Sequence, residues 1–173
     1  MNIQTIKSGV LALAIILSST AMRAQTKASP AATATGTVNG ANISISYSSP
    51  SVKGRKIFGG LTPYDQVWRA GANEATIFKT DKKVMIGKTP LEAGSYSIYV
   101  IPSEKSWQVI FNSQTGQWGT SRTGSTRVPE KDVATITVKT TKTPALVESL
   151  KYDITPKGFT LAWENTSVLV PVK

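Results

Sequence analysis

The 173-residue chain contains no cysteine and no histidine. The first absence excludes a disulfide framework, a thiol nucleophile and a lipid attached to cysteine. The second removes the commonest general base and the commonest zinc ligand, so a Ser-His-Asp triad and any His-based metal site are excluded. Acidic residues are scarce as well, 10 Asp and Glu against 20 Lys and Arg, for a formal net charge of +10. Oxygen ligands alone would suit calcium, but no run matches a DxDxDG loop, and Asp81 is followed by Lys82 and Lys83, which repel a cation. No metal and no cofactor is therefore expected.

A long apolar run is also missing. The one at the start, Val10 to Leu17 in MNIQTIKSGVLALAIILSSTAMRAQ, is less than half of the roughly 20 residues that cross a bilayer. Lys7 precedes it and small residues follow, with a cleavage point after Ala24 and a second candidate after Ala21. This is the three-part pattern of a signal peptide over residues 1–24. The expectation is an exported chain, periplasmic or secreted, with no transmembrane anchor after cleavage.

Without Lys7 and Arg23 the remaining 18 basic residues face 10 acidic ones, a net charge of +8. Such a protein attracts acidic polysaccharides, lipid headgroups and acidic peptides. The basic residues are dispersed, apart from Lys82-Lys83 and the Lys53, Arg55, Lys56 group. A solvated basic surface is the commoner meaning of that pattern. No basic helix or base-stacking motif is present, so nucleic acid is not an expected partner.

What the chain has in plenty is alternation. Residues 25–35, QTKASPAATAT, are small and polar and read as a flexible leader. From Gly36 onward a period of two recurs, as in half-buried strands. Ile43, Ile45 and Tyr47 alternate with serines; Tyr96, Ile98 and Val100 alternate with Ser97 and Tyr99. Trp107, Val109 and Phe111 follow the same rule, as do Ala134, Ile136 and Val138, then Phe159, Leu161 and Trp163, and finally Val168, Val170 and Val172. Turn pairs such as Asn39-Gly40 and Lys157-Gly158 separate them. The expected fold is all-β: a single antiparallel β-sandwich over residues 36–173, with about eight or nine strands. Trp107 and Trp163 belong to its core.

One segment breaks the rhythm: SPSVKGRKIFGGLTPYDQVWRAGANEAT, residues 49–76. A connection of roughly 25 residues exceeds the usual loop length and tends to be functional or to pack its own small core. Ile57, Phe58, Leu61, Tyr64, Val67 and Trp68 can supply that core. Thr62 can cap, and Pro63 suits a first helical position, so a short helix over 63–68 fits the stretch. Gly54, Gly59, Gly60 and Gly71 favour tight turns whose amides, with Lys53 and Arg55, could hold an anion. Neither GxGxxG nor GxxxxGK[ST] is present.

The strings YSSPSVKGRKIFGGLTPYDQVWRAGANEATIF, GKTPLEAGSYSIYVIP and SWQVIFNSQTGQWG, from about Ser46 to Gly119, closely resemble the Domain of Unknown Function 2911 family of exported bacterial proteins. The motifs that carry the likeness are KGR.IFG, VWR.GANEAT and AG.YS...IP. The resemblance implies an exported β-rich domain and no particular activity. Beyond Gly119 the stretch TSRTGSTRVPEKDV departs from the family's aromatic-acidic pattern.

Within this segment Arg69 and Glu74 read in two ways. They form an internal ion-pair clip, the commoner role for such residues, or Arg69 grips an anionic group while Glu74 serves as base or hydroxyl acceptor. Asn73 caps a turn or orients a ligand; Trp68 and Trp118 are partly buried core residues or platforms for a ring. The candidate ligand site is Lys53, Arg55, Trp68, Arg69, Asn73 and Glu74. The leading functional expectation is a non-enzymatic binding or structural module of the cell envelope, with a glycan, a peptide or an anionic envelope component as partner. The alternative is a small hydrolase using the carboxylates of Asp65 and Glu74.

Overall fold

The computed structural model describes residues 28–173. The expected signal peptide and the first residues of the expected leader lie outside them. The described strands are β1 (Ala31–Val38), β2 (Ala41–Ser48), β3 (Thr76–Thr80), β4 (Val84–Ile86), β5 (Thr89–Leu91), β6 (Gly94–Pro102), β7 (Ser106–Asn112), β8 (Thr120–Ser121), β9 (Gly124–Ser125), β10 (Asp132–Thr155) and β11 (Gly158–Pro171). Seven of them form one antiparallel sheet in the order β1-β2-β3-β6-β7-β10-β11, and β4-β5 and β8-β9 are small separate hairpins. The sheet curls until it is nearly a barrel. It closes where β1, one end of the sheet, meets the second half of β10: a side-chain carbon at Gly36 would lie only 2.7 Å from the Ile154 side chain.

The alternation read from the sequence explains most of the core. Ile43, Ile45, Phe78, Ile98, Val100, Trp107, Val109, Phe111, Phe159, Leu161 and Trp163 all point inward and are almost fully buried. Phe78, Phe111 and Phe159 meet one another at ring-centre distances of 5.2 to 6.3 Å. The rule fails on β6 and β7, where the outer face is covered too: Tyr99 and Ile110 are buried with Ala75, Val67 and Ile101 against them. The cover comes from Val67 and Ala75 ahead of β3 and from the stretch after β7, which is tied down where the Gln117 amide donates to the Ser97 and Tyr99 hydroxyls at 3.1 and 2.9 Å.

Three expectations are corrected. Residues 31–35 are part of β1, paired from Ala31↔Ser48 to Val38↔Ala41, not a flexible leader; small alternating residues suffice for a strand when a neighbour offers a full ladder. Second, the strand at Ala134 to Val138 runs on to Thr155, and those at Phe159 to Trp163 and Val168 to Val172 are halves of one, so β10 and β11 are long bent strands. β10 absorbs the bend through register shifts after Lys142 and Val147, and β11 through Glu164, whose φ is 56°. Third, no helix forms over 63–68. Asp65 has φ 60°, and Trp68 exchanges backbone hydrogen bonds with Val100 at 2.7 and 2.8 Å, so the segment continues along β6 as an extended lane.

Candidate functional site

Residues 49–75 cap one end of the curled sheet. Ser49 and Val52 are anchored to β10, since the Val52 amide donates to the Glu148 carbonyl at 2.7 Å and the Ser49 hydroxyl to the Leu150 carbonyl at 2.6 Å. Ile57 and Phe58 are buried in the main core, among the inward side chains of the barrel. Phe58 meets Trp107 at 4.7 Å, and Trp68 stacks on Trp163 with ring centres 5.9 Å apart and planes 19° from parallel. The aromatic cluster therefore fastens the loop to the barrel and forms the floor beside it.

The turn that follows Trp68 sets the direction of Arg69. Ala70 adopts the left-handed conformation, with φ 54°. Its buried carbonyl is fixed twice, accepting from the Thr76 hydroxyl at 3.0 Å and from the Tyr152 hydroxyl at 2.8 Å. Left-handed geometry costs a non-glycine residue about 1–2 kcal/mol, and those two buried hydrogen bonds offset it. Burial raises the Tyr152 phenol far above its ordinary value, against the opposing hydrogen bond at Thr76.

Arg69 lies flat across Gly119, where a side-chain carbon would come within 2.3 Å of its Cδ. Its Nε donates to the Gly71 carbonyl at 3.4 Å and its Nη1 to the Thr120 hydroxyl. These two groups orient the guanidinium. One residue before Glu74, Asn73 turns the chain with φ 58°, and Glu74 pairs by backbone with Trp118. Half-burial lowers the Arg69 guanidinium from its ordinary value.

A cavity of about 530 Å³ opens at this place. Five of the six candidate residues line it: Lys53, Arg55, Trp68, Arg69 and Asn73. Glu74 does not. Asp65 is elsewhere too, in a shallow depression with Tyr64, Ser103, Glu104 and Lys105. The two carboxylates of the hydrolase alternative are therefore not brought into one cavity. Thr120 and Trp163 also form its wall. Trp163 was readable only as core, and Thr120 carries no local signal.

Arg55 and Asn73 are held without carboxylates, whereas the Lys53 backbone amide donates to the Glu148 carboxylate at 2.9 Å. Arg55 donates from Nε to the Val52 carbonyl at 3.0 Å and from Nη2 to the Ser51 carbonyl at 2.6 Å. Asn73 donates to the Ser29 carbonyl at 3.3 Å and the Ser48 hydroxyl at 3.1 Å, a turn-fixing role. Among the described residues, no Asp or Glu lines the cavity. The loop amides that the glycines suggested for an anion are taken up within the protein: those of Arg55, Gly59, Gly60, Leu61 and Thr62 donate to carbonyls of the same loop, and those of Lys53 and Ile57 to the carboxylates of Glu148 and Glu164. Any attraction for an anion comes from the side chains.

Fold and cavity together define an all-β protein: a nearly closed antiparallel sheet with a loop-built, cationic, aromatic-floored cavity at one end. The chain belongs to the family described as Protein of unknown function (DUF2911), whose model matches residues 29–172. No curated protein and no solved structure matches it.

Proposed function

We propose that this protein is an exported, non-enzymatic binding module of the cell envelope, and that the cavity at Arg69 takes an anionic ligand. The observation that carries the reading is Arg69 itself: a half-buried guanidinium on a cavity wall, oriented by a carbonyl and a hydroxyl. A charge so held keeps its direction and is not neutralised by its anchors. Charge-assisted hydrogen bonds to a ligand carboxylate, sulfate or phosphate are about twice as strong as neutral ones, and partial desolvation strengthens them. Lys53 and Arg55 on the same wall add to the field. Export rests on the pattern of residues 1–24, and the mass of the secreted chain tests it: a start at Gln25 or Met22 is expected, and an unprocessed chain retained in the cytoplasm contradicts it.

Local recognition must be distinguished from the general attraction of a basic surface. We expect Arg55→Gln to weaken binding of a labelled polygalacturonate about threefold to fivefold, as for a rim cation. Lys139→Gln, an equal change of charge at an exposed position on β10 away from the cavity, is expected to leave it unchanged. Equal losses in the two variants would mean diffuse attraction and end the site reading.

A further inference from the structure

Resting on that reading, the composition of the wall narrows the ligand. We infer that the cavity takes an acidic saccharide, a sugar ring bearing a carboxylate, with the carboxylate on Arg69 and the ring against Trp68. Three features of the wall point there together.

The first is charge of one sign on the wall, from Lys53, Arg55 and Arg69; the Glu148 carboxylate beside Lys53 is taken up by the Lys53 backbone amide at 2.9 Å and lies outside the lining. The second is the apolar part. A bare inorganic anion would have no use for Trp68, Leu61, Pro63 and Val67, whereas the face of a pyranose ring packs its C–H groups on such surfaces. The third is the neutral polar set of Ser29, Ser51, Gln66, Asn73 and Thr120, which suits a ligand rich in hydroxyls. A volume of about 530 Å³ is within the ordinary range for small-molecule sites and has room for a short oligosaccharide unit.

A peptide fits less well. Extended peptides gain affinity by pairing with a free backbone edge, and the backbone around this cavity is already engaged. Trp68 is paired with Val100 through both its amide and its carbonyl, Ala72 donates to Ser48, Val52 donates to Glu148, and Gly119 donates to Asn73. Side chains, not a strand edge, face the ligand.

The test is a comparison of ligands on the unmodified full chain, followed by calorimetry and by tryptophan fluorescence, because Trp68 and Trp163 both contribute to the wall. The probes are galacturonate di- and trisaccharides, the corresponding neutral galactose oligomers, and succinate and inorganic phosphate. The acidic oligosaccharides should bind at least about tenfold more tightly than either control group, a difference of about one decade in equilibrium constant, and should change the fluorescence. Trp68→Phe should weaken the acidic oligosaccharide severalfold and leave any succinate binding unchanged. Equal affinity for succinate or phosphate would overturn the saccharide inference and leave the anion reading standing. Equal affinity for the neutral oligomers would remove the anion reading, and no binding by any probe would remove both.

Discussion

Gly158→Ala is expected to lower the unfolding free energy by about 3 kcal/mol or more, the sum of a strained backbone and an overpacked contact. Gly158 opens β11 with φ 136°, a region closed to residues with a side chain. An added carbon there would lie 2.1 Å from the Val170 carbonyl oxygen and 2.7 Å from the Val172 amide nitrogen. Both are backbone atoms and cannot swing aside. They belong to the closure of the barrel end, where the Val172 amide donates to the Lys157 carbonyl at 3.1 Å and Lys173 pairs with Met85. Relief of the clash therefore requires the turn or the chain end to part from the barrel. A urea unfolding series measures the loss, and a melting temperature lower by roughly 10 °C should accompany it. Gly116→Ala is the control: its φ is 83°, but nothing lies within 4 Å of the added carbon, so only the backbone cost of about 1 kcal/mol applies. If Gly158→Ala loses no more than Gly116→Ala, the tight closure of that end is wrong.

The Lys157-Gly158 turn was readable from the sequence because turn chemistry is local. The inward faces of β2, β3, β6 and β7 were readable for a similar reason: alternate residues share a face, and one buried face imposes its pattern on the chain. What was not readable depends on distant partners. The bends that make β10 and β11 continuous are set by how Lys142, Val147 and Glu164 pair across the hairpin, and β5, β8 and β9 are too short to show a period. The helix expected at 63–68 rested on a cap and a proline, both local, whereas Trp68 is bound into a lane beside Val100 and an aromatic cluster drawn from three other parts of the chain.

The candidate site divides in the same way. Trp68, Arg69 and Asn73 stand together in sequence and line one wall. Glu74, next in the chain, does not, because Asn73 ends the turn and the lane toward β3 begins with the Glu74–Trp118 bridge. Composition could identify the segment; it could not say at which residue the chain leaves the cavity. Thr120 is out of reach of any local reading, since it lies 51 positions from Arg69 in the stretch where the family pattern departs.

That distant contact yields the largest expected effect on binding. Arg69→Gln is expected to weaken the tightest anion of the probe panel by about thirtyfold or more, the usual consequence of removing one partner of a desolvated charge pair. Gly119→Ala should produce a loss of the same order without touching a charge. The carbon it adds would stand 2.3 Å from Arg69 Cδ and 2.6 Å from Cβ. The Cβ cannot rotate away, so either the Gly119 backbone or the Arg69 stem must shift, and the guanidinium leaves the Thr120 hydroxyl. Because both substitutions act through one guanidinium, the double variant should bind little worse than Arg69→Gln alone, a coupling nearly as large as the single effect. Losses that multiply would show that Gly119 affects binding by another route, and Arg69 would no longer be the group that the surrounding turn is built to hold.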